Sequence, residues 1–464
     1  MADVIEAQTG QRPPAAEAIA LGGAVHDSRD AYPGALFVAL PGEHVDGHDY
    51  VAAAFEGGCA AALVERPLDG LTNLDLRSAE APDAAIQAPL CLVVEDSLQA
   101  LQQAARFWRA KLDLCVVGIT GSVGKTTSKE LIADVLGQQF NTFKSLGNFN
   151  NEIGLPLSVL AINEEHKYAV LEMGFYVIGE IAFLVDIAQP QLGLVTNIGT
   201  VHAERAGSQE AIFEGKSELV AGLPADGVAI LNYDDPRVKA MAERSRARVF
   251  TYGLDPAADL WADEIEGLGL DGVRFTLHHG DEQHRVEMPM IGRHSVYTAL
   301  GAAAVGLVEG MSWATILAGL RAGRSELRLV TARSASGALL LDDTYNASPE
   351  STLAALELLS DLEGRKVAVL GDMLELGQYE REGHERVGAL AAEVADVLVT
   401  VGQRARIIAE TARKNGLDVV TECDSSAAAL DYLRENLNVD DVVLVKGSRA
   451  MYMENIVPGL EAAQ

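Results

Sequence analysis

The run Cys115-Val-Val-Gly-Ile-Thr120, followed at once by Gly121-Ser-Val-Gly-Lys-Thr-Thr127, constrains this chain more than any other segment. Six uncharged, mostly apolar residues read as a strand buried on both faces, and such strands belong to parallel sheets covered by helices. Gly121 and Gly124 then supply flexible backbone, and an amphipathic pattern beginning near Lys125 predicts a helix. Strand, glycine loop and helix in that order aim backbone N–H groups and the positive end of a helix dipole at one point, which suits a phosphate. Lys125 would neutralise β- and γ-phosphate charge, and Thr126 would direct its hydroxyl to Mg2+. The general phosphate-loop pattern puts its first glycine where Ile119 stands, so only Gly124-Lys125-Thr126 follows it.

With 464 residues the chain exceeds one ordinary core, and the domain-size prior gives about three domains. Residues up to about 110 read as a small α/β unit with strand-like runs over 34–40 and 60–64, and the acidic, Pro-containing stretch 66–88 reads as a surface loop. From residue 114, short apolar runs over 115–120, 168–172, 192–197 and 228–232 alternate with helical patterns, which predicts a wound α/β sheet. The alternation restarts after residue 321, with runs over 338–342, 366–371, 396–401 and 441–445, and predicts a second wound sheet. The expected architecture is therefore α/β in three domains: 1–112, 113–325 with the phosphate loop, and a Rossmann-like 326–464. Gly and Arg residues over 320–328 suit a hinge.

Hydrophobic residues at 48% and charged residues at 22% are globular proportions, and no segment is long and apolar enough to insert stably in a membrane. The first residues lack the basic and apolar regions of a secretion signal, so a cytoplasmic protein is expected; a monomer is expected separately, and the N-terminus does not bear on it. Four scattered cysteines suggest neither a zinc motif nor a disulfide framework. A formal charge of -31 disfavours nucleic acid and acidic membrane surfaces. An anionic ligand needs local cations, oriented amides or Mg2+ to reverse that field.

Two further strand ends carry candidate metal ligands. Glu172 closes one apolar run and is a hard oxygen donor suited to Mg2+. His202 follows another, after Asn197-Ile-Gly-Thr-Val201, and in a wound sheet ligands gather outside the carboxyl ends of strands.

Taken with Lys144-Ser-Leu-Gly-Asn-Phe-Asn-Asn-Glu-Ile-Gly-Leu-Pro156, Leu171-Glu-Met-Gly174, Asp342-Asp-Thr-Tyr-Asn-Ala-Ser-Pro349, Gly371-Asp-Met-Leu-Glu-Leu-Gly377 and Lys446-Gly-Ser-Arg449, these segments make the chain resemble the ATP-dependent Mur ligases over nearly its whole length. The short phosphate loop is that family's form. The resemblance is nearest to the branch that joins D-alanyl-D-alanine to UDP-N-acetylmuramoyl-tripeptide. It implies that ATP phosphorylates the peptide's terminal carboxylate and that the dipeptide amine attacks the resulting acyl phosphate. Phosphorylation supplies the leaving group that a carboxylate lacks, and Mg2+ offsets crowded negative charge.

The same resemblance assigns roles. Gly121, Ser122, Val123, Gly124, Lys125, Thr126 and Thr127 would hold ATP phosphates, while Thr126, Glu172, His202 and a carbamylated Lys216 would serve Mg2+. Lys125, Glu172, His202 and Lys216 form the implied catalytic set. Asn232, His294, Arg328 and Asp343 would contact the nucleotide, although Ser295 and Thr298 stand where the family commonly has asparagines. Ser28 and Arg29 would meet the UDP end, Asn150 and Asn151 the muramoyl peptide, and Tyr345, Asn346 and Ser348 the dipeptide. Ser348 before Pro349 equally suits a helix N-cap. Ligases acting on related carboxylates, such as the tripeptide-forming branch or folate polyglutamate ligases, are the near alternatives. A nucleotide-driven switch is the alternative of another class, and it leaves the C-terminal motifs unexplained.

Overall fold

The computed structural model describes residues 1–42, 45–77, 86–200, 203–323 and 330–461. Three sheets follow one another along the chain. In the first, the strands Ala24–Val25, Leu36–Val38, Ala61–Val64, Leu90–Val93 and Asn73–Asp75 lie side by side in that order, all parallel. Asn73–Asp75 falls inside the stretch expected to be loop. Only Leu74 of its three residues is buried, so this edge strand carries no apolar run by which a sequence could announce it.

The central sheet has nine strands among the described residues. Thr142–Lys144, Tyr168–Glu172, Cys115–Thr120, Leu192–Val195, Val228–Asn232, Arg248–Gly253 and Leu260–Gly267 run parallel, and Val273–His279 and Glu282–Met288 complete the sheet antiparallel. The antiparallel end was absent from the sequence reading. Its strands alternate buried and exposed residues, so they lack the continuous apolar runs of the parallel part. Cys115–Thr120 is third from one edge. From it the chain builds two strands on one side, then crosses to the other with Leu192–Val195. That reversal makes the carboxyl end of Cys115–Thr120 a topological switch point, where wound sheets bind ligands.

The helix Lys125–Gly137 leaves this point and packs against the alanine-rich helix Ser295–Val308 and against Trp313–Ala322. The approach is close: a β-carbon on Gly319 would lie 2.5 Å from the Val135 α-carbon. Leu131, Ile132, Val135 and Leu136 are buried in that seam, each worth about 1.5–3 kcal/mol relative to exposure. The helix that carries the phosphate loop is thereby fixed to the sheet on one side and to two helices on the other.

The third sheet orders Val330–Arg333, Leu339–Asp342, Asp441–Lys446, Arg365–Gly371, Val397–Val401 and Val420–Cys423. Its first pair is antiparallel and the rest parallel. The carboxyl ends of Leu339–Asp342 and Asp441–Lys446 are neighbours and deliver Asp343 and Lys446 to the same edge. Residues 320–322 of the expected hinge belong to the helix Trp313–Ala322; Arg324 and Arg328 lie outside the described residues. No helix among the described residues is long and apolar enough to cross a membrane.

Candidate active site

The loop after Cys115–Thr120 is held by side chains of the neighbouring strand end as well as by its own. Thr196 Oγ1 donates to the Val123 carbonyl at 2.7 Å, and Asn197 brackets the same residue, accepting from its N–H and donating to its carbonyl, both at 3.0 Å. The Gly199 N–H donates to Ser122 Oγ at 2.9 Å. Gly121 has φ +150°, and a β-carbon there would lie 1.8 Å from Thr196 Oγ1. Only glycine lets the loop approach the adjacent strand so nearly. Gly124 takes a left-handed conformation, φ +84°, immediately before the helix Lys125–Gly137. Ile119, where the general pattern has glycine, is a buried strand residue.

Beside this loop, the buried carboxylate of Glu172 accepts from two sides. Thr126 Oγ1 donates to Oε2 at 2.7 Å and Asn150 Nδ2 donates to Oε1 at 2.8 Å. Asn150 can come this near because residue 174 is glycine: a β-carbon there would lie 3.0 Å from Asn150 Oδ1. The Gly174 N–H also donates to the Asn150 carbonyl at 2.7 Å. Hydroxyl, carboxylate and amide oxygens are hard donors of the kind Mg2+ takes. Among the described residues no group of three His, Cys, Asp or Glu side chains converges, so a cation here would rely on Thr126 and Glu172 together with other oxygens. His202 lies outside the described residues.

Lys216, buried on the helix Gln209–Ala221, reaches the loop from behind. Its Nζ donates to the Gly121 carbonyl at 2.9 Å, and Lys125 Nζ donates to the same oxygen at 2.9 Å. Burial drives the Lys216 pKa well below that of a free lysine, repulsion from Lys125 adds to the fall, and Glu172 opposes it. The protein therefore favours the uncharged amine here more than water does.

A cleft of about 370 Å³ runs from this loop to the third sheet. Of the residues singled out in the sequence, it brings together Ser122, Val123, Gly124, Lys125, Thr126, Thr127, Asn150, Glu172 and His294 with Asp343, Tyr345, Asn346 and Ser348. Lys446 Nζ donates to Asp343 Oδ2 at 2.6 Å and to the Asn346 carbonyl at 2.9 Å, which fixes the far wall. The His294 ring is open to the cleft and folds back over Gly292, where a β-carbon would lie 2.6 Å from its Cε1. Enclosure by protein lowers its pKa, with Asp343 opposing and Lys446 reinforcing. Ser348 caps the helix Pro349–Asp361 in a reciprocal box with Ser351, while Tyr345 exposes its ring beneath the Arg449 guanidinium.

Other expected positions lie apart from the cleft wall. Asn232 is buried, with Nδ2 donating to the Thr196 carbonyl at 2.9 Å and Oδ1 accepting from the Asp234 N–H at 3.1 Å. It braces the strand end from which Thr196 reaches the loop. Asn151 accepts from the Gly154 N–H at 2.8 Å and lines a second cavity of about 240 Å³ with Glu152, Ile178 and Phe183; Asn150 and Tyr176 line both cavities. Ser28 and Arg29 belong to the first unit, where the Asp27 carboxylate accepts from both the backbone and the guanidinium of Arg29. Arg328 is outside the described residues. Ser295 and Thr298, where the family has asparagines, both line the cleft, and the buried Ser295 Oγ donates to the Gly292 carbonyl at 2.7 Å.

Sequence reasoning gave no role to Thr196, Asn197, Asn148 or Lys446. Each stands at or just past a strand's carboxyl end or in the asparagine loop, and position in a wound sheet is the signal that could have found them.

Residues 23–109, 119–306 and 323–449 match the families described as Mur ligase family, catalytic domain; Mur ligase middle domain; and Mur ligase, glutamate ligase domain. The UDP-N-acetylmuramoyl-tripeptide--D-alanyl-D-alanine ligase of Bacillus subtilis (strain 168) is 37% identical over 454 residues, covering 96% of this chain and 94% of its own. A crystal structure of MurF from Acinetobacter baumannii superposes with a TM-score of 0.84 at 33% identity, covering 99% of this chain and 98% of that one. MurF from Thermotoga maritima in complex with ADP superposes with a TM-score of 0.78 at 28% identity, over 94% and 96% of the two chains. The chain belongs to the Mur ligase family.

Proposed function

We propose that this chain is an ATP-dependent ligase that joins D-alanyl-D-alanine to UDP-N-acetylmuramoyl-tripeptide, a step of peptidoglycan precursor synthesis. The observation that carries the reading is the single cleft onto which the Lys125–Thr126–Glu172–Asn150 group opens from one side and Asp343, Tyr345, Asn346 and Lys446 from the other. Its near relatives bear the name of this activity along almost their entire length.

In this reading the first turn of Lys125–Gly137 and Lys125 itself receive the ATP phosphates. Lys125 exchanges its Gly121 carbonyl contact for phosphate oxygens. Thr126 and Glu172 would hold Mg2+, which when bound would supply charge neutralisation at the γ-phosphoryl group. Asn150 orients that carboxylate, since its amide already stands against Glu172 and borders both cavities. A lysine whose pKa is lowered by burial is suited to take up carbon dioxide in its neutral form, and we assign Lys216 the carbamate role that the family resemblance implies. His294 and Asp343 meet the nucleotide, and Asn232 acts through the Thr196 strand end. Tyr345 and Asn346 receive the dipeptide from the opposite wall, whose amine attacks the acyl phosphate and expels phosphate. Exclusion of water from the cleft when the substrates are bound would limit hydrolysis of that intermediate.

We further propose the division 1–112 for the UDP end, 113–325 for ATP and 326–464 for the dipeptide, with Ser28 and Arg29 at the UDP end, and a monomeric, cytoplasmic protein without affinity for nucleic acid. The test is coupling. ADP release by the purified chain should require both the UDP-linked tripeptide and D-alanyl-D-alanine; steady turnover with either omitted, or with a free amino acid replacing the dipeptide, contradicts the reading.

A further inference from the structure

Lys129 is completely buried, one helical turn beyond Thr126, and none of it reaches the cleft. Its Nζ donates to the Ser145 carbonyl at 2.6 Å and the Gly147 carbonyl at 3.1 Å, with Glu130 Oε1 at 3.1 Å. Burying such a group is costly, and a well-packed apolar side chain in its place is often neutral or better for stability. Stability alone therefore gives little reason for a lysine here.

What the amine holds is the loop that carries Asn148 and Asn150. The loop turns through a left-handed Gly147, φ +48°, then presents Asn148 to the cleft and Asn150 to Glu172. Its near end is fixed to the same strand that ends at Glu172, by the Ser145 N–H donating to the Val170 carbonyl at 3.1 Å. The contacts close a ring: Thr126 to Glu172, Glu172 to Asn150, Asn150 through its loop to Lys129, and Lys129 back along the helix to Thr126.

We propose that Lys129 is a positioning residue that ties the phosphate-loop helix to the asparagine loop, so that the nucleotide-facing and peptide-facing halves of the site are set by one hydrogen-bonded ring. The proposal rests on the reading of Asn150 as a contact of the peptide carboxylate. It acts through Asn150, and Lys129 itself touches neither substrate.

A double-mutant cycle on the full chain tests it, with kcat/KM for the UDP-linked peptide at saturating ATP and dipeptide as the readout. Lys129→Met should lower kcat/KM roughly 10- to 100-fold, the range for partners that orient a ligating group. On an Asn150→Ala background the same substitution should cost less than about threefold, because coupled residues are not additive. Lys129→Arg, which keeps the charge and donors, should recover part of the loss. A full multiplicative loss on the Asn150→Ala background, or no loss on the parent, overturns the proposal while leaving the site reading intact. An inert Asn150→Ala overturns both together. Lys129→Gln, which retains a donor, runs the same cycle if Lys129→Met lacks a cooperative unfolding transition.

Discussion

Thr126 Oγ1 stands 2.7 Å from Glu172 Oε2, joining the first turn of the phosphate-loop helix to the end of the adjacent strand. Because Glu172 accepts a second hydrogen bond from Asn150, one carboxylate registers both the phosphate-type loop and the loop that carries Asn150. Glu172→Gln keeps the shape and removes the charge, so it should reduce turnover by more than about 100-fold, beyond the loss typical of orienting partners alone. Thermal unfolding should stay cooperative. Activity within tenfold of the parent, on the order of a single weak contact, would remove Glu172 from the metal site.

The two loop glycines should respond differently to alanine. At Gly124 a β-carbon meets nothing within 4 Å, so Gly124→Ala meets only the left-handed backbone penalty of about 1–2 kcal/mol. At Gly121 the added carbon collides with Thr196 Oγ1, and the strand must shift. Gly121→Ala should therefore lower the urea midpoint more than Gly124→Ala, and Thr196→Ser should not relieve it because the hydroxyl remains. Equal midpoints would contradict the collision.

Lys216 makes a pH prediction with a definite sign. Its folded-state pKa lies well below the ordinary 10.5, so between those two values the unfolded chain binds a proton that the folded chain does not. Stability of the parent relative to Lys216→Met should then rise with pH through this window, with a slope of at most about 1.4 kcal/mol per pH unit, and level off above it. Urea unfolding from pH 7 to 10 in carbon-dioxide-free buffer measures the difference. A flat or falling difference would mean that Lys216 stays protonated in its pocket.

The pair of buried Lys446 and partly exposed Asp343 should behave asymmetrically. Lys446→Met leaves Asp343 and the Asn346 carbonyl without this partner and should cost less than the roughly 3–5 kcal/mol of a fully buried pair, whereas removing both charges, in Lys446→Met with Asp343→Leu, should recover much of it. Activity should not return in the double variant, since Asp343 and Lys446 both face the cleft. Chemical denaturation and initial rates on the same preparations separate the two effects.

How much of this was legible in the sequence depended on where the signal lay. Cys115–Thr120, Tyr168–Glu172 and Val228–Asn232 were readable residue for residue, because strands buried on both faces are continuous apolar runs. Asn73–Asp75 and the antiparallel strands through Met288 were not, since a half-exposed or very short strand has little pattern to show. Lys125, Thr126 and Glu172 were found from motif and strand position. The roles of Asn197 in gripping Val123, of Lys129 in anchoring the 145–147 turn and of Lys446 in pairing with Asp343 depend on contacts between residues as far as 103 positions apart, which no local spacing encodes. Asn232 was expected at the nucleotide, but its amide is engaged with the backbone at Thr196 and Asp234, a distinction that only geometry could draw.

The central claim is transfer of the γ-phosphoryl group to the peptide carboxylate before the amide forms. UDP-N-acetylmuramoyl-tripeptide labelled with oxygen-18 in its terminal carboxylate, turned over with ATP and D-alanyl-D-alanine, tests it most directly by mass analysis of the released phosphate. One labelled oxygen in each phosphate is the predicted result, and unlabelled phosphate formed in step with amide product would contradict it.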